Sequence, residues 1–374
     1  MEKRRSIVFY MPNLASGGIE KMTLLMAPEF VKAGYKVTLL LQTADGGLIN
    51  SVPTGIDIVA LNCRRTILSL IPLIKYLRQE KPDILFSSYG HNHIIAIWAA
   101  FFARTKTKLI ISQHNAPSAE IVKGRGLKFS VLLPVLYSLF LRFAHSLVAV
   151  SQGVADDLAK ISHLTRDKIS VIYNPVIAQT FETDLAAPCS HPWLKEGSAP
   201  VILGVGRLVE LKDFSTLIFA FAKVVKKRPA KLILLGEGHL LNPLKAQAEA
   251  LGLKDCVDFP GFDPNPYPYM KRAAVLALSS LTEGFGNVLI EAMACGTPVV
   301  STDCKFGPPE ILAHGKYGKL VPVGDSDALA DGLLDVLTTH LPADVLRKRG
   351  MEFTVDKAVN EYLALFERVL TQHP

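Results

Sequence analysis

The sequence predicts an α/β protein made of two doubly wound, parallel-sheet domains. Short apolar runs alternate with amphipathic stretches of helical length, the βαβ rhythm that produces parallel sheets. The rhythm lapses over 177–199, where Pro188, Pro192 and Gly197 interrupt it, and restarts at Val201 after Pro200. With 374 residues the chain is long enough for two separate cores. The expected division is a first domain over 1–176, a linker at 177–199, a second domain over 200–350, and a closing helix within 351–374 that packs back on the first domain.

Composition excludes several classes. The chain is 49% hydrophobic and 20% charged, the balance of a globular protein in water. Five cysteines (Cys63, Cys189, Cys256, Cys295, Cys304) contain no CxxC pair and no histidine at metal-ligand spacing, so reduced thiols in the cytoplasm are expected. The basic start, Met-Glu-Lys-Arg-Arg, is followed by too few apolar residues before Pro12 for a secretory signal. The longest apolar runs, over 94–103 and 130–141, are too short to span a bilayer. Charge is uneven: residues 1–176 carry 21 Lys/Arg against 11 Asp/Glu, and residues 177–374 carry 20 against 23. A basic half points to an anionic surface. No helix-turn-helix, zinc-finger or aromatic RNA-binding pattern accompanies it, which favours a membrane over nucleic acid.

Taken in order, Ile7–Met11 reads as a strand, Ile19–Lys32 as a helix stopped by Gly34, and Lys36–Leu41 as the next strand. Gly17 and Gly18, between strand and helix, allow a backbone to approach a ligand at a helix N-terminus. Further strands are expected at Ile56–Leu61, Asp83–Ser87, Leu109–Ser112, Ser146–Val150 and Ile169–Ile172. The strand at 109–112 runs into Gln113-His114-Asn115. Side chains just past the carboxyl ends of strands line the ligand crevice of such sheets, so His114 is a site candidate, with His91 and His93 behind it. Three histidines without a defined spacing or a carboxylate do not make a metal site. Residues 127–143 are apolar around most of a helix, with Ser130, Pro134, Ser138 and Arg142 forming one narrow polar stripe. That pattern suits a core helix or one lying in a membrane interface. The preceding Lys123, Arg125 and Lys128 favour the interface, and a second basic-apolar patch from Arg64 and Arg65 through Lys75 and Arg78 can join it.

In the second half, strand Val201–Val205 leads into Gly206-Arg207-Leu-Val-Glu-Leu-Lys212 and a helix over 215–227. After Gly204 and Gly206 the third glycine of a dinucleotide fingerprint is replaced by Val209, which counts against a nicotinamide cofactor. Arg207 and Lys212 instead place two cations in a strand-to-helix loop, where fixed charge suits a pyrophosphate. Strand Lys231–Leu235 precedes Gly236-Glu-Gly238, a helix covers 243–251, and Val257–Phe259 leads into Gly261-Phe262. Strand Ala274–Leu278 then enters the corner on which the chain is organised, residues 281–298. Its loop carries Glu283, Gly284 and Gly286, and Asn287 reads as the N-cap of a helix that ends near Ala294 before Gly296 and Pro298. A strand-loop-helix corner aims backbone N–H groups and a positive dipole end at whatever binds above it. Glu291 lies one turn beyond Asn287 on the same face. Asp325-Ser-Asp327 is read as a helix N-cap with a first-turn acid, not as a metal pair.

These residues resemble the retaining glycosyltransferases of family 4. The likeness runs from Gly17-Gly18-Ile-Glu20 to the last helix. Its most specific part is Glu283 and Glu291, with seven residues between, inside Glu-Gly-Phe-Gly-Asn…Glu-Ala-Met-Ala-Cys-Gly-Thr-Pro-Val-Val. Gly206-Arg207-Leu-Val…Lys212, Gly236-Glu-Gly238 and Val171-Ile-Tyr-Asn174-Pro175 match other family segments. Ser301-Thr-Asp-Cys-Lys-Phe-Gly-Pro-Pro-Glu310 is similar to a variant in members that build lipid-linked or exported bacterial glycans. Asp213 departs from the family, many of whose members have glycine there.

The resemblance implies the GT-B fold, two Rossmann-like domains facing a central cleft. It implies transfer from a nucleotide-diphosphate sugar, most simply a UDP-sugar, to a glycan or polyprenyl-diphosphate-linked acceptor at the inner face of the cytoplasmic membrane. By that resemblance Arg207 and Lys212 hold the pyrophosphate, Glu291 takes the ribose hydroxyls, and Glu283 with the backbone at Phe285, Gly286 and Asn287 holds the donor sugar. His114 reaches the sugar from the other domain, Gly18 borders the phosphates, and Gly236, Phe262 and Val288 complete the donor-binding set. Glu283, His114, Arg207 and Lys212 form the implied catalytic set. No metal or other cofactor is implied. A GDP-mannose-type donor, an epimerase or phosphorylase of the same fold, and a non-catalytic nucleotide- or membrane-binding module are the alternatives.

Overall fold

The computed structural model describes residues 4–15, 17–118 and 127–371, and within the helix Leu127–Phe140 the side chains from 132 onward. Lys123 and Arg125, and the side chains of Lys128 and Ser130, on which part of the membrane expectation rested, lie outside the described residues. The chain divides into two compact units: 1–175 together with 355–374, and 176–354.

In the first unit β1 (Ser6–Met11), β2 (Lys36–Leu41), β3 (Ile56–Ala60), β4 (Ile84–Ser87), β5 (Lys108–Gln113), β6 (Ser146–Ala149) and β7 (Ile169–Val171) form one sheet. Their order is β3-β2-β1-β4-β5-β6-β7, and every neighbouring pair is parallel. After their first residue β1 and β2 are buried throughout, as strands covered on both faces must be. The last helix, Val355–Thr371, belongs to this unit. Its Phe366 ring lies 5.3 Å from Phe30, and its Tyr362 ring lies 5.5 Å from Phe86.

In the second unit β8 (Val201–Val205), β9 (Lys231–Leu235), β10 (Val257–Gly261), β11 (Val275–Leu278), β12 (Val299–Thr302) and β13 (Lys319–Val321) form a sheet of order β10-β9-β8-β11-β12-β13. All of its pairs are parallel too. The helix Phe214–Lys227 covers one face and buries Leu217, Ile218, Phe221 and Val224 in a core shared with Ile202, Leu232 and Leu234.

The linker expected at 177–199 is corrected by the structure: that stretch is part of the second unit. A short helix, Phe181–Leu185, buries Phe181 and Leu185, and Phe181 meets the Tyr267 ring edge-on at 5.0 Å. Prolines masked two buried anchors that sit too far apart in sequence to give a periodic signal. The second unit also runs to Thr354, beyond the expected boundary of 350, because Val176 and Ile177 both donate to the Phe353 carbonyl, at 3.0 and 3.1 Å.

Both sheets start in the middle, build outward to one edge and return on the other side, so β1 lies beside β4 and β8 beside β11. At such switch points the connecting loops run in opposite directions, and a crevice opens at the carboxyl ends of the strands.

Candidate active site

At the switch point of the second sheet the loop after β8 is clamped from two sides. From β9, the Leu235 carbonyl accepts from Gly206 N–H at 3.0 Å, and Leu208 N–H donates to the Glu237 carbonyl at 2.8 Å. Gly236 has φ of +148°, and a Cβ there would stand 2.0 Å from the Gly206 carbonyl oxygen, so a side chain at 236 would force the two loops apart. From β11, the Ser279 hydroxyl donates to the Lys212 carbonyl at 2.8 Å, and Leu281 N–H donates to the Leu211 carbonyl at 2.9 Å.

This bracing brings two of the expected residues together. Lys212 Nζ lies 2.5 Å from Glu283 Oε1, which also accepts from the Ser280 hydroxyl at 2.6 Å. The lysine and glutamate side chains are 21% and 12% exposed, so their attraction is screened far less than that of a surface pair. Arg207, directly after Gly206, is exposed and makes no ion pair among the described residues. The loop thus presents one charge-compensated cation and one open cation.

The corner after Glu283 differs in one detail from expectation. The N-cap is Gly286 at φ of +104°, and Asn287 is the first residue of the helix Asn287–Ala294. The chain must turn through the left-handed region here, which glycine does without penalty and asparagine less readily. Gly307 supports the turn: a Cβ there would stand 1.7 Å from the Phe285 carbonyl oxygen. Phe285 points inward, buried, with its ring 5.7 Å from that of Phe353. Val288 is half-buried in the first helical turn. Glu291, one turn on, is half-buried beside Tyr267 and Cys295. Burial first and the Glu291 charge second raise the Tyr267 phenol and push the Cys295 thiol up to about 12. Phe262 is exposed just after β10.

His114 and Gly18 lie in the first unit. His114 is buried at the carboxyl end of β5, its Nε2 3.1 Å from the Ser112 hydroxyl, which lies 3.3 Å from the Tyr362 hydroxyl. Burial lowers its pKa to about 4. The imidazole is therefore neutral near pH 7, suited to a hydrogen bond and not to proton donation as a cation. Of the histidines behind it, His93 is fully buried between Ser87 (3.0 Å) and Gln113 (3.1 Å), a structural role, while His91 stands 5.6 Å from the Tyr89 ring. Gly18 opens the helix Gly18–Lys32 with nothing within 4 Å of its Cβ direction, whereas a Cβ on Gly17 would meet the Glu20 carboxylate at 2.4 Å. No group of three His, Cys, Asp or Glu side chains among the described residues is placed to hold a metal.

Three supporting residues are given no role by the sequence, although Thr302 and Gly307 lie within the family-like segment 301–310. Ser280 orients Glu283, Thr302 donates to the Ser280 carbonyl at 2.7 Å, and Gly307 makes room for the 285 carbonyl. Polar residues closing an apolar strand, as Ser279-Ser280 do, are the one available hint for Ser280.

Two family models match the chain: Glycosyltransferase Family 4 over residues 16–179 and Glycosyl transferases group 1 over 190–352. Among curated relatives, the N-acetylgalactosamine-N,N'-diacetylbacillosaminyl-diphospho-undecaprenol 4-alpha-N-acetylgalactosaminyltransferase of Campylobacter jejuni is 32% identical over 354 residues, 90% of each chain. The N-acetyl-alpha-D-glucosaminyl L-malate synthase of Bacillus anthracis is 26% identical, covering 78% of this chain and 76% of its own. Among solved structures, Anabaena HepE in complex with UDP superposes with a TM-score of 0.78 at 21% identity, over 97% of this chain and 100% of that one. A Rickettsia africae glycosyltransferase gives 0.78 at 19% identity, over 99% and 100%.

Proposed function

The chain belongs to the family 4 glycosyltransferases, GT-B enzymes of bacterial glycan assembly, and on that premise we propose that it moves a sugar from a UDP-sugar to a polyprenyl-diphosphate-linked glycan. The observation that carries this reading is the Lys212–Glu283–Ser280 cluster, braced at the switch point of the second sheet beside the exposed Arg207. A departing nucleoside diphosphate develops negative charge, and Arg207, Lys212 and the first N–H groups of the helix Asn287–Ala294 offer fixed positive charge to meet it. Two such cations take the part a divalent ion plays elsewhere, so the reaction is read as metal-independent. The bond from the anomeric carbon to the diphosphate oxygen breaks, and the bond to the acceptor oxygen forms on the same face, with retention. The acceptor proton passes to the leaving phosphate. Glu283 stabilises the positive charge at the anomeric carbon, Glu291 binds the ribose hydroxyls, and neutral His114 donates or accepts one hydrogen bond to the sugar. The lipid-linked acceptor is read from the Campylobacter relative, whose name specifies a diphospho-undecaprenol substrate, and the UDP donor from the UDP complex of HepE.

The same reading places the enzyme at the cytoplasmic membrane face as a peripheral protein. No helix among the described residues is long and apolar enough to cross a membrane. The helix Leu127–Phe140 turns Leu133 and Tyr137 inward while Leu132, Val135 and Leu139 stand exposed, with Phe143 just beyond. A helix apolar on its outer face as well as its inner one suits an interface, where basic residues such as Arg64, Arg65 and Lys75 attract anionic headgroups. The deciding experiment is a thermal-shift panel of UDP-, GDP- and ADP-sugars followed by turnover in excess EDTA. Stabilisation by UDP-sugars alone, with turnover intact, supports the reading. Preference for GDP-sugars, or loss of turnover restored by Mg²⁺, overturns its donor or its metal-free step.

A further inference from the structure

A single arginine ties together the supports of the corner at 285–287. Arg349 lies in the last turn of the helix Ala343–Gly350, its side chain only 17% exposed. Its Nε donates to the Ile311 carbonyl at 2.9 Å and its Nη2 to the Glu310 carbonyl at 3.0 Å. These residues end the short helix Pro308–Ile311, and the last carbonyls of a helix have no partner within it. The guanidinium carbon also lies 4.9 Å from the Phe353 ring centre and 5.3 Å from that of Tyr317, and an ion pair with Glu352 completes its surroundings.

These contacts lead to the corner by two routes. The Phe353 ring packs on Phe285 at 5.7 Å. The helix Pro308–Ile311 follows Gly307, whose missing Cβ leaves room for the Phe285 carbonyl. A Cβ on Gly286 would meet Ile311 and Pro308 at 3.7 Å each, so the same short helix lies against the turn at 286. Arg349 is itself held close to the helix Asn287–Ala294, because a Cβ on the next residue, Gly350, would stand 2.3 Å from the Ala294 backbone nitrogen. Just past Ile311, Ala313 and His314 both occupy the left-handed region, at φ of +45° and +54°. Such strain persists only where neighbouring contacts hold it, and the two bonds from Arg349 fall immediately before it.

Resting on the donor site proposed above, we propose that Arg349 is a positioning residue for it. Through the helix Pro308–Ile311 and the Phe353 ring, it fixes the backbone at 285–287 where the sugar and diphosphate bind. A planar guanidinium suits the task, since it makes a fork of bonds and stacks on rings, and a lysine ammonium does neither. Misplacing a binding group by about 1 Å can cost on the order of a hundredfold even when the altered residue is remote from the chemistry.

The test compares binding of two probes: the UDP-sugar that stabilises the protein most in the panel above, and UMP, which lacks the sugar and second phosphate. In Arg349→Lys the Kd for the UDP-sugar should rise about tenfold while that for UMP stays in place. Glu352→Gln, which removes the ion pair and keeps the carbonyl bonds, should leave both unchanged. Phe353→Leu breaks the second route with Arg349 intact, and should also weaken the UDP-sugar selectively; it decides the matter if Arg349→Lys does not fold. An arginine that only holds the unit together would lower the melting temperature and leave the ratio of the two affinities unchanged, which overturns the inference. Equal weakening of both probes, or a Glu352→Gln variant that behaves like Arg349→Lys, overturns it too. If the unaltered enzyme binds both probes and only the selective loss is missing, the inference alone falls. If it binds neither, the reading of the donor site falls and takes the inference with it.

Discussion

Lys212 and Glu283 are 71 positions apart in sequence and share one hydrogen bond of 2.5 Å. Each depends on the other for compensation of a mostly buried charge. Lys212→Ala and Glu283→Ala should therefore be non-additive, the double variant costing much less than the sum. In the role proposed for it, Glu283 meets a charge that develops only in the transition state, so Glu283→Ala is expected to lower kcat more than it raises the donor KM. Glu291 is set apart from this pair, one helical turn on and beside Tyr267. The ribose hydroxyls proposed as the partners of Glu291 do not change during the reaction, so Glu291→Ala should raise the donor KM. A lost hydrogen bond to a charged group is worth roughly 1.5–3 kcal/mol, about tenfold to a hundredfold, with kcat nearly kept. Steady-state kinetics separates the two roles, and the reverse pattern would exchange them.

At the scale of elements, the departure from the family at Asp213 has a structural account. Asp213 sits at φ of +44°, the left-handed conformation that glycine adopts most easily. Its carboxylate compensates by accepting from Thr216 N–H at 3.2 Å and from the Thr216 hydroxyl at 2.6 Å, capping the helix Phe214–Lys227. Asp213→Ala should destabilise the second unit by about 1–2 kcal/mol, since the cap is lost and the backbone strain stays. Asp213→Gly should be within about 0.5 kcal/mol of neutral, because relief of strain offsets loss of the cap. Chemical denaturation of both variants tests the difference. The helix Leu127–Phe140 offers the other element-scale test. Replacing the exposed Leu132, Val135 and Leu139 with serine should reduce binding to anionic vesicles and leave the melting temperature in place. A loss of fold would mean that this face is ordinary core.

For the whole molecule, the buried polar centre of the first unit makes stability depend on pH. Burial holds His114 at a pKa of about 4; burial, with smaller contributions from His114 and His91, holds His93 at about 3, against an ordinary 6.5. Below pH 6.5 the unfolded chain takes up protons that the folded state refuses. The stability these groups contribute is thus fully present above about 6.5 and is lost as pH falls toward 4 and then 3. Each group adds a slope of up to about 1.4 kcal/mol per pH unit inside its window. Urea unfolding between about pH 4.5 and 7 should show the first unit weakening as pH falls, and His114→Asn should flatten that dependence.

Much of this protein was legible in one dimension. Strand and helix periods depend on local chemistry, so the two parallel sheets and the loops at 206–212 and 281–287 could be placed from apolar runs and glycines alone. The family segments around Glu283 and Glu291 point to the candidate site for the same reason: each lies within one continuous corner. What only the tertiary structure decided depends on residues distant in sequence. The pairing of Lys212 with Glu283, and its support by Ser280 and Thr302, requires β8, β11 and β12 to lie side by side. The exclusion of a side chain at Gly236 by the Gly206 carbonyl, and at Gly307 by the Phe285 carbonyl, is a contact between loops that no local pattern encodes. Likewise the helix Leu127–Phe140 is apolar around most of its circumference, and its sequence period could not say which apolar face is covered. Packing against the neighbouring helix buries Leu133 and Tyr137 and leaves Leu132, Val135 and Leu139 to the solvent side.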